Sequence, residues 1–255
     1  MVEQRVDTLE IYFKRVNLVS NVSNVLFWMS LFFSYVIFFA DKNSQINTII
    51  TIIFIILTIL YFIFSNLLSI FLLKEAQNKR RVHLISDSLG TKLDDEETNL
   101  YYNNSQTPSI IRLGMNVFEN TLFTWRVTEQ MVKAERLKVL IYIIIWLSLI
   151  LIRDINLNLI STIAQTIFTT GLLVSWVKLE VLRCSCDKLF GEFRQLFLIN
   201  GIKNNKKVNA LILNLVIRYE TTVASMGINL STKTFKKINP IVTAEWEKIK
   251  SNINL

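Results

Sequence analysis

The chain has 255 residues, of which 51% are hydrophobic and only 19% charged, and its mean hydropathy is +0.39. Six glycines, two prolines, two cysteines and a single histidine argue against a turn-rich β fold, a disulfide scaffold and most multi-histidine metal or catalytic centres. The net charge of +8 reads first as membrane topology rather than nucleic-acid binding, because Lys and Arg accumulate on the cytoplasmic flanks of membrane spans.

Residues 1–20 are predicted to form a cytoplasmic amphipathic helix. Val2, Val6, Leu9, Phe13 and Val16 alternate spacings of four and three, which gives one apolar stripe. The mixed charges Glu3, Asp7, Glu10, Arg5, Lys14 and Arg15 do not resemble a cleavable signal. Residues 21–73 are expected to be a transmembrane hairpin, because Val16 to Ala40 and Asn43 to Leu73 carry no charge apart from the turn between them. A span needs roughly 20 mostly apolar residues. Residues 74–138 follow as a cytoplasmic segment, a candidate sensor. It is helical over 74–84 and from Ser109, with a less regular stretch at 86–108 whose strand content stays open.

A second hairpin is expected over 139–177, from the apolar runs Val139 to Ile152 and Ile155 to Val177. The first of these is short, about 21 Å as a helix, a length that also fits a buried or re-entrant segment. Residues 178–255 are expected to be a cytoplasmic helical region. A break falls at Asn200–Gly201, a helix spans Val208 to Met226, and a C-terminal helix is interrupted by Pro240. The fold class is therefore an all-α membrane protein with four transmembrane helices in two hairpins and a mostly helical cytoplasmic body. Lys14, Arg15, Lys74, Lys79, Arg80, Arg81, Lys133, Arg136, Lys138, Lys178 and Arg183 flank the runs on one side. The positive-inside rule then places both termini and the 74–138 segment in the cytoplasm of a multi-pass membrane protein.

Enzymatic chemistry finds little support. His83 lies in a basic helix, Cys184-Ser-Cys186 is too tight for a redox pair, and there is no phosphate-binding glycine loop. No catalytic residue, metal or cofactor is expected. Cys184 and Cys186 read as helix filler or as juxtamembrane thiols open to lipid modification. The acidic run Asp94 to Glu97 reads as a solvated loop or a helix start rather than a divalent-cation site.

Polar stripes inside the apolar runs are the candidate path. Asn158, Thr162, Gln165 and Thr169 share one helix face, and Thr51, Thr58 and Ser65 share another. They line a hydrated path between subunits of a homo-oligomer, or they simply hydrogen-bond helix to helix. The candidate ligand site is Tyr101, Tyr102, Asn103, Arg112 and Arg126. Tyrosines can stack on a base while amides and guanidinium groups meet base edges and phosphates. The alternative is that the tyrosines simply belong to the core. DNA or RNA binding is not expected.

Residues Ser86 to Leu93 (SDSLGTKL), Leu100-Tyr101-Tyr102, Pro108, Arg112 and Asn116 to Arg126 (NVFENTLFTWR) follow one another in this order between two hairpins. That arrangement resembles the SMODS-associated four-transmembrane effectors of bacterial cyclic-nucleotide defence systems. It departs from their pattern at Tyr101, where a tryptophan is expected, and at Ile85–Ser86, where a Gln–Glu pair is. The resemblance implies a pore-forming effector in the lipid bilayer, gated by a cyclic oligonucleotide, that depolarises the inner membrane in abortive infection. A non-conducting scaffold holding a cytoplasmic protein partner is the alternative.

Overall fold

A computed structural model describes residues 6–39, 45–95, 98–99, 102, 104, 106–151 and 172–253. The chain is almost wholly helical. Helix α1 spans Glu10–Phe39 and α2 Gln45–Asn66, followed by a π-helical turn at Leu67–Leu72 and then α3, Leu73–Leu89. Helix α4 runs unbroken over Ile110–Leu151; α5 spans Leu172–Asn200, α6 Lys206–Met226 and α7 Thr232–Ile253. The one strand pairing among the described residues is antiparallel, between β1 (Val6–Asp7) and β2 (Thr98–Asn99). This corrects the expected helix at its start: Val6 and Asp7 are extended, and helix begins at Glu10.

The chain divides into two compact units. One comprises Tyr12–Glu75 and Arg136–Ser175. Many of its apolar side chains face outward, although Val16, Leu31, Leu73 and Val139 are buried. Leu57 is the one buried residue of α2, while Ile52, Ile55, Ile56, Ile59 and Phe62 are exposed. Phe27 and Tyr61 bring α1 and α2 together, with ring centroids 5.9 Å apart. Such an outward apolar surface suits hydrocarbon, which a helix with all its backbone groups paired can enter. Two of the described helices, Glu10–Ser34 and Gln45–Leu89, are long and apolar enough to cross a membrane. The expected third run is helical to Leu151; the fourth lies mostly outside the described residues.

The other unit comprises Met1–Ile11, Ala76–Glu135 and Trp176–Leu255. Its core is aromatic. The fully buried Phe118 of α4 meets Phe190, Phe193 and Phe197 of α5 at 5.2, 5.8 and 5.8 Å, and Trp246 of α7 edge-on at 5.0 Å. The i, i+3/i+4 spacing of Phe190, Phe193 and Phe197 puts all three on one face of α5. Gly114 lets α6 close in: a Cβ there would stand 2.8 Å from Cγ2 of Ile212. Helix α6 is started by Asn205, whose side chain accepts from the Val208 N–H at 2.9 Å. Helix α7 continues through Pro240 instead of breaking there. Its buried face, Val242, Trp246, Ile249 and Ile253, anchors it beyond the proline, and that burial outweighs a lost backbone bond of about 3 kcal/mol.

Candidate functional site

The second unit holds a polar cluster where α3 meets the start of α4. Gly90 ends α3 with φ +65°, and a Cβ there would press against Pro108 at 2.8 Å. Only glycine tolerates both the left-handed turn and that approach. The Ser109 N–H then donates to the Ser88 carbonyl at 2.9 Å, which ties the start of α4 to the end of α3. Ser86 closes the turn: its hydroxyl donates to the Thr91 carbonyl at 2.7 Å and accepts from the Leu93 N–H at 3.2 Å.

Across this junction Arg112 Nη2 donates to Asp87 Oδ1 at 2.8 Å. Asn116, one turn further along α4, donates to Asp87 Oδ2 at 3.2 Å and to Ser88 Oγ at 3.0 Å. Asn104 donates to the Asn116 carbonyl oxygen, and its own carbonyl oxygen accepts from the Gln106 N–H at 3.0 Å. Arg112 Nη1 reaches the Gln106 carbonyl at 3.3 Å. Asn116 and Ser88 are fully buried, which a polar group tolerates only when paired in this way. Arg112 Nε and Asp94 Oδ2 are buried with no hydrogen bond.

Of the expected ligand residues, Tyr102 is half-buried against the aromatic core, and Tyr101 and Asn103 lie outside the described residues. Arg112 is held by Asp87. Arg126 is held elsewhere, by Glu245 at 3.0 and 2.5 Å and by Glu129 at 3.3 Å, with its guanidinium 4.0 Å above the Trp125 ring. These carboxylates keep Arg126 charged, and they occupy the donors that a phosphate would need. Arg112 and Arg126 are thus each held by carboxylates of the chain itself.

Of the expected path residues, Asn158, Thr162, Gln165 and Thr169 lie outside the described residues. Thr51 and Thr58 turn their hydroxyls back onto their own helix, donating to the carbonyls of Asn47 and Phe54, each at 2.8 Å. Ser65 shares a hydrogen bond with Tyr61. Those hydroxyls are satisfied without a facing helix.

Asp94 differs from expectation, and it meets His83. Both side chains are buried, with Nδ1 3.5 Å from Oδ1, whereas Asp95 is fully exposed. The acidic run is thus not uniformly solvated: its first residue folds under α3. Among the described residues no cluster of metal ligands occurs. Arg80 and Arg81, which mark topology in the sequence, converge on Glu220, at 2.6 and 2.9 Å.

Asp87, Ser88, Asn104 and Asn116 are the residues that sequence reasoning did not select as a site. Their signal was available: Arg112 and Asn116 stand one turn apart on a helix whose other positions, Leu113, Met115 and Val117, are apolar and buried. Comparison with known proteins adds no name, since no family model, curated protein or solved structure matches the chain.

Proposed function

We propose that this chain is a bacterial inner-membrane effector of antiphage defence, with four spans in two hairpins and both termini cytoplasmic. A nucleotide signal, most simply a cyclic oligonucleotide, binds the cytoplasmic body. The spans of a homo-oligomer then rearrange and depolarise the membrane. The observation that carries this reading is Arg112 Nε, which is buried and has no hydrogen-bond partner. A phosphate arriving there competes with Asp87 for a guanidinium already lacking one partner. Asp87 and Arg112 sit on α3 and α4, whose helical runs also carry apolar stretches, so a change at this junction has a mechanical route to the bilayer. Gln165 and its neighbours Thr162 and Thr169 are the proposed lining of the path.

Induced expression in bacteria with a membrane-potential dye, with and without a panel of cyclic nucleotides, tests this reading. Depolarisation that a nucleotide switches, lost in Arg112→Ala and blunted in Gln165→Leu, is the expected result. Unchanged potential with the protein confirmed in the membrane overturns it.

One observation favours the second reading, a non-conducting scaffold for a cytoplasmic protein. At the α5–α6 corner Leu198, Ile199 and Ile202 are exposed beside exposed Lys203, Lys206 and Lys207. From Phe193 to Tyr219 there is no acidic residue at all. An apolar patch rimmed by one sign of charge suits an acidic partner.

A further inference from the structure

Helix α2, the π turn and α3 form one run from Gln45 to Leu89 that contains neither glycine nor proline. Its one irregularity is at Leu67–Leu72, where the helix leaves the α register. The Leu73 N–H donates to the carbonyl of Leu68, five residues back instead of four. Such turns make up well under 1% of residues and concentrate at functional sites. Two features say why this one forms here.

First, no side chain of the segment is buried, and Leu67, Ile70 and Phe71 are exposed, so packing within the described chain does not impose the wider register. Second, the sequence supplies its own donors. Asn66 Nδ2 donates to the Phe62 carbonyl at 2.7 Å, and Ser69 Oγ to the Asn66 carbonyl at 3.4 Å. A widened turn leaves carbonyls without N–H partners, which hydrocarbon cannot satisfy. Side-chain donors at its entry make the slip inexpensive. The turn also lies where the apolar run gives way to Lys74 and Glu75.

We propose that Leu67–Leu72 is a register switch. Conversion from π to α advances the helix by one residue, which rotates α3 by about 100° about its own axis relative to α2 and shifts it by about 1.5 Å. Helix α3 carries Asp87, Arg80 and Arg81. Their bonds to Arg112 and Glu220 cannot survive such a rotation, so these ion pairs hold the π register. Release of both sets, Asp87 from Arg112 and Arg80 and Arg81 from Glu220, frees the turn to become α. The proposal rests on the reading of α2 as a gated membrane span, and it names the moving part.

The test uses the full chain in lipid nanodiscs, with Cys184→Ser and spin labels on cysteines at the exposed positions Ile59 and Asn78. Pulsed dipolar spectroscopy reads the distance between the labels. Over the roughly 28 Å of helix between the labels, the rotation and the shift together change it by about 2–4 Å. The parent is expected to hold one principal distance. Deleting Ile70 removes the extra residue of the π turn and leaves α2 and α3 in phase, so it is expected to keep the parent distance, whereas the double variant Asp87→Ala/Glu220→Ala, which releases both sets of ion pairs, is expected to move the population to a second distance. An unchanged distance in the double variant overturns the switch, even where the deletion variant fails to fold. Dye leakage from vesicles bearing the same variants separates the two ideas. A shifted distance without leakage sinks the pore and leaves the switch standing.

Discussion

Asp87 and Arg112 meet at 2.8 Å although the sequence separates them by 25 positions, and the buried Asn116 donates to the same carboxylate. Neither residue alone explains the junction. Arg112 is only part-buried, so the pair is not a costly internal charge, but Asn116 has no access to water. Asp87→Ala leaves one donor of Asn116 dependent on Ser88 alone and strips Arg112 of its carboxylate. A loss of about 1–3 kcal/mol is expected, whereas the isosteric Asp87→Asn, which keeps an acceptor, costs less. Denaturant unfolding in mild detergent measures both. A loss for Asp87→Ala no greater than that of Asn78→Ala, at an exposed position, shows that the junction does not depend on this clasp.

The aromatic core makes a sharper prediction about stability. Phe118 is fully buried among four rings from α5 and α7. Its removal opens a cavity, and Phe118→Ala is expected to cost about 3–5 kcal/mol. Ile241→Ala, on the exposed face of α7, should stay within about 0.5 kcal/mol. Gly114→Val should behave as an overpacked core variant, because Ile212 already stands where the new Cβ must go. Thermal melting ranks the three.

Much of this architecture was legible in the sequence because helices write their period into it. The starts and stops near Ser109, Asn200 and Val208 follow from apolar spacing and turn chemistry. What escaped was set by distant partners. Whether Asp94 is solvated or folded beneath α3 depends on His83 and on the Gly90 turn, not on the run of acids it belongs to. Arg126 read as an open cation because a sequence shows charge but not its neutralisation. Only the fold brings Glu245 to Arg126. The extended start at Val6 escaped for the same reason: its strand partner is Asn99.

The two cysteines should react very differently. Both are free thiols, Cys184 exposed and Cys186 buried. Burial pushes the Cys186 thiol up to about 12, so its reactive thiolate is absent at neutral and mildly alkaline pH. Maleimide labelling at pH 8 is expected to add one adduct to the folded protein and two after denaturation, read by intact mass. Two rapid adducts in the folded protein would show that α5 does not bury Cys186 in solution.

Acid should loosen α5 from α6 through Glu192 before it disturbs their apolar contact. Arg218 donates to both oxygens of the Glu192 carboxylate, and that hydrogen bonding holds Glu192 below its ordinary range against the opposing pull of burial. A carboxyl with a lowered folded-state pKa binds its proton more readily when unfolded. Its contribution is therefore complete above the unfolded pKa and is lost as pH falls through the folded one. Both side chains remain substantially exposed, so screening limits the effect to no more than about 1 kcal/mol. Glu192→Gln should lower stability at pH 7 by that small amount and leave it unchanged below the carboxylate range, so the two stability curves converge in acid. Salt should shrink the gap at pH 7. Parallel curves down to acid pH would mean that Glu192 contributes through packing rather than charge.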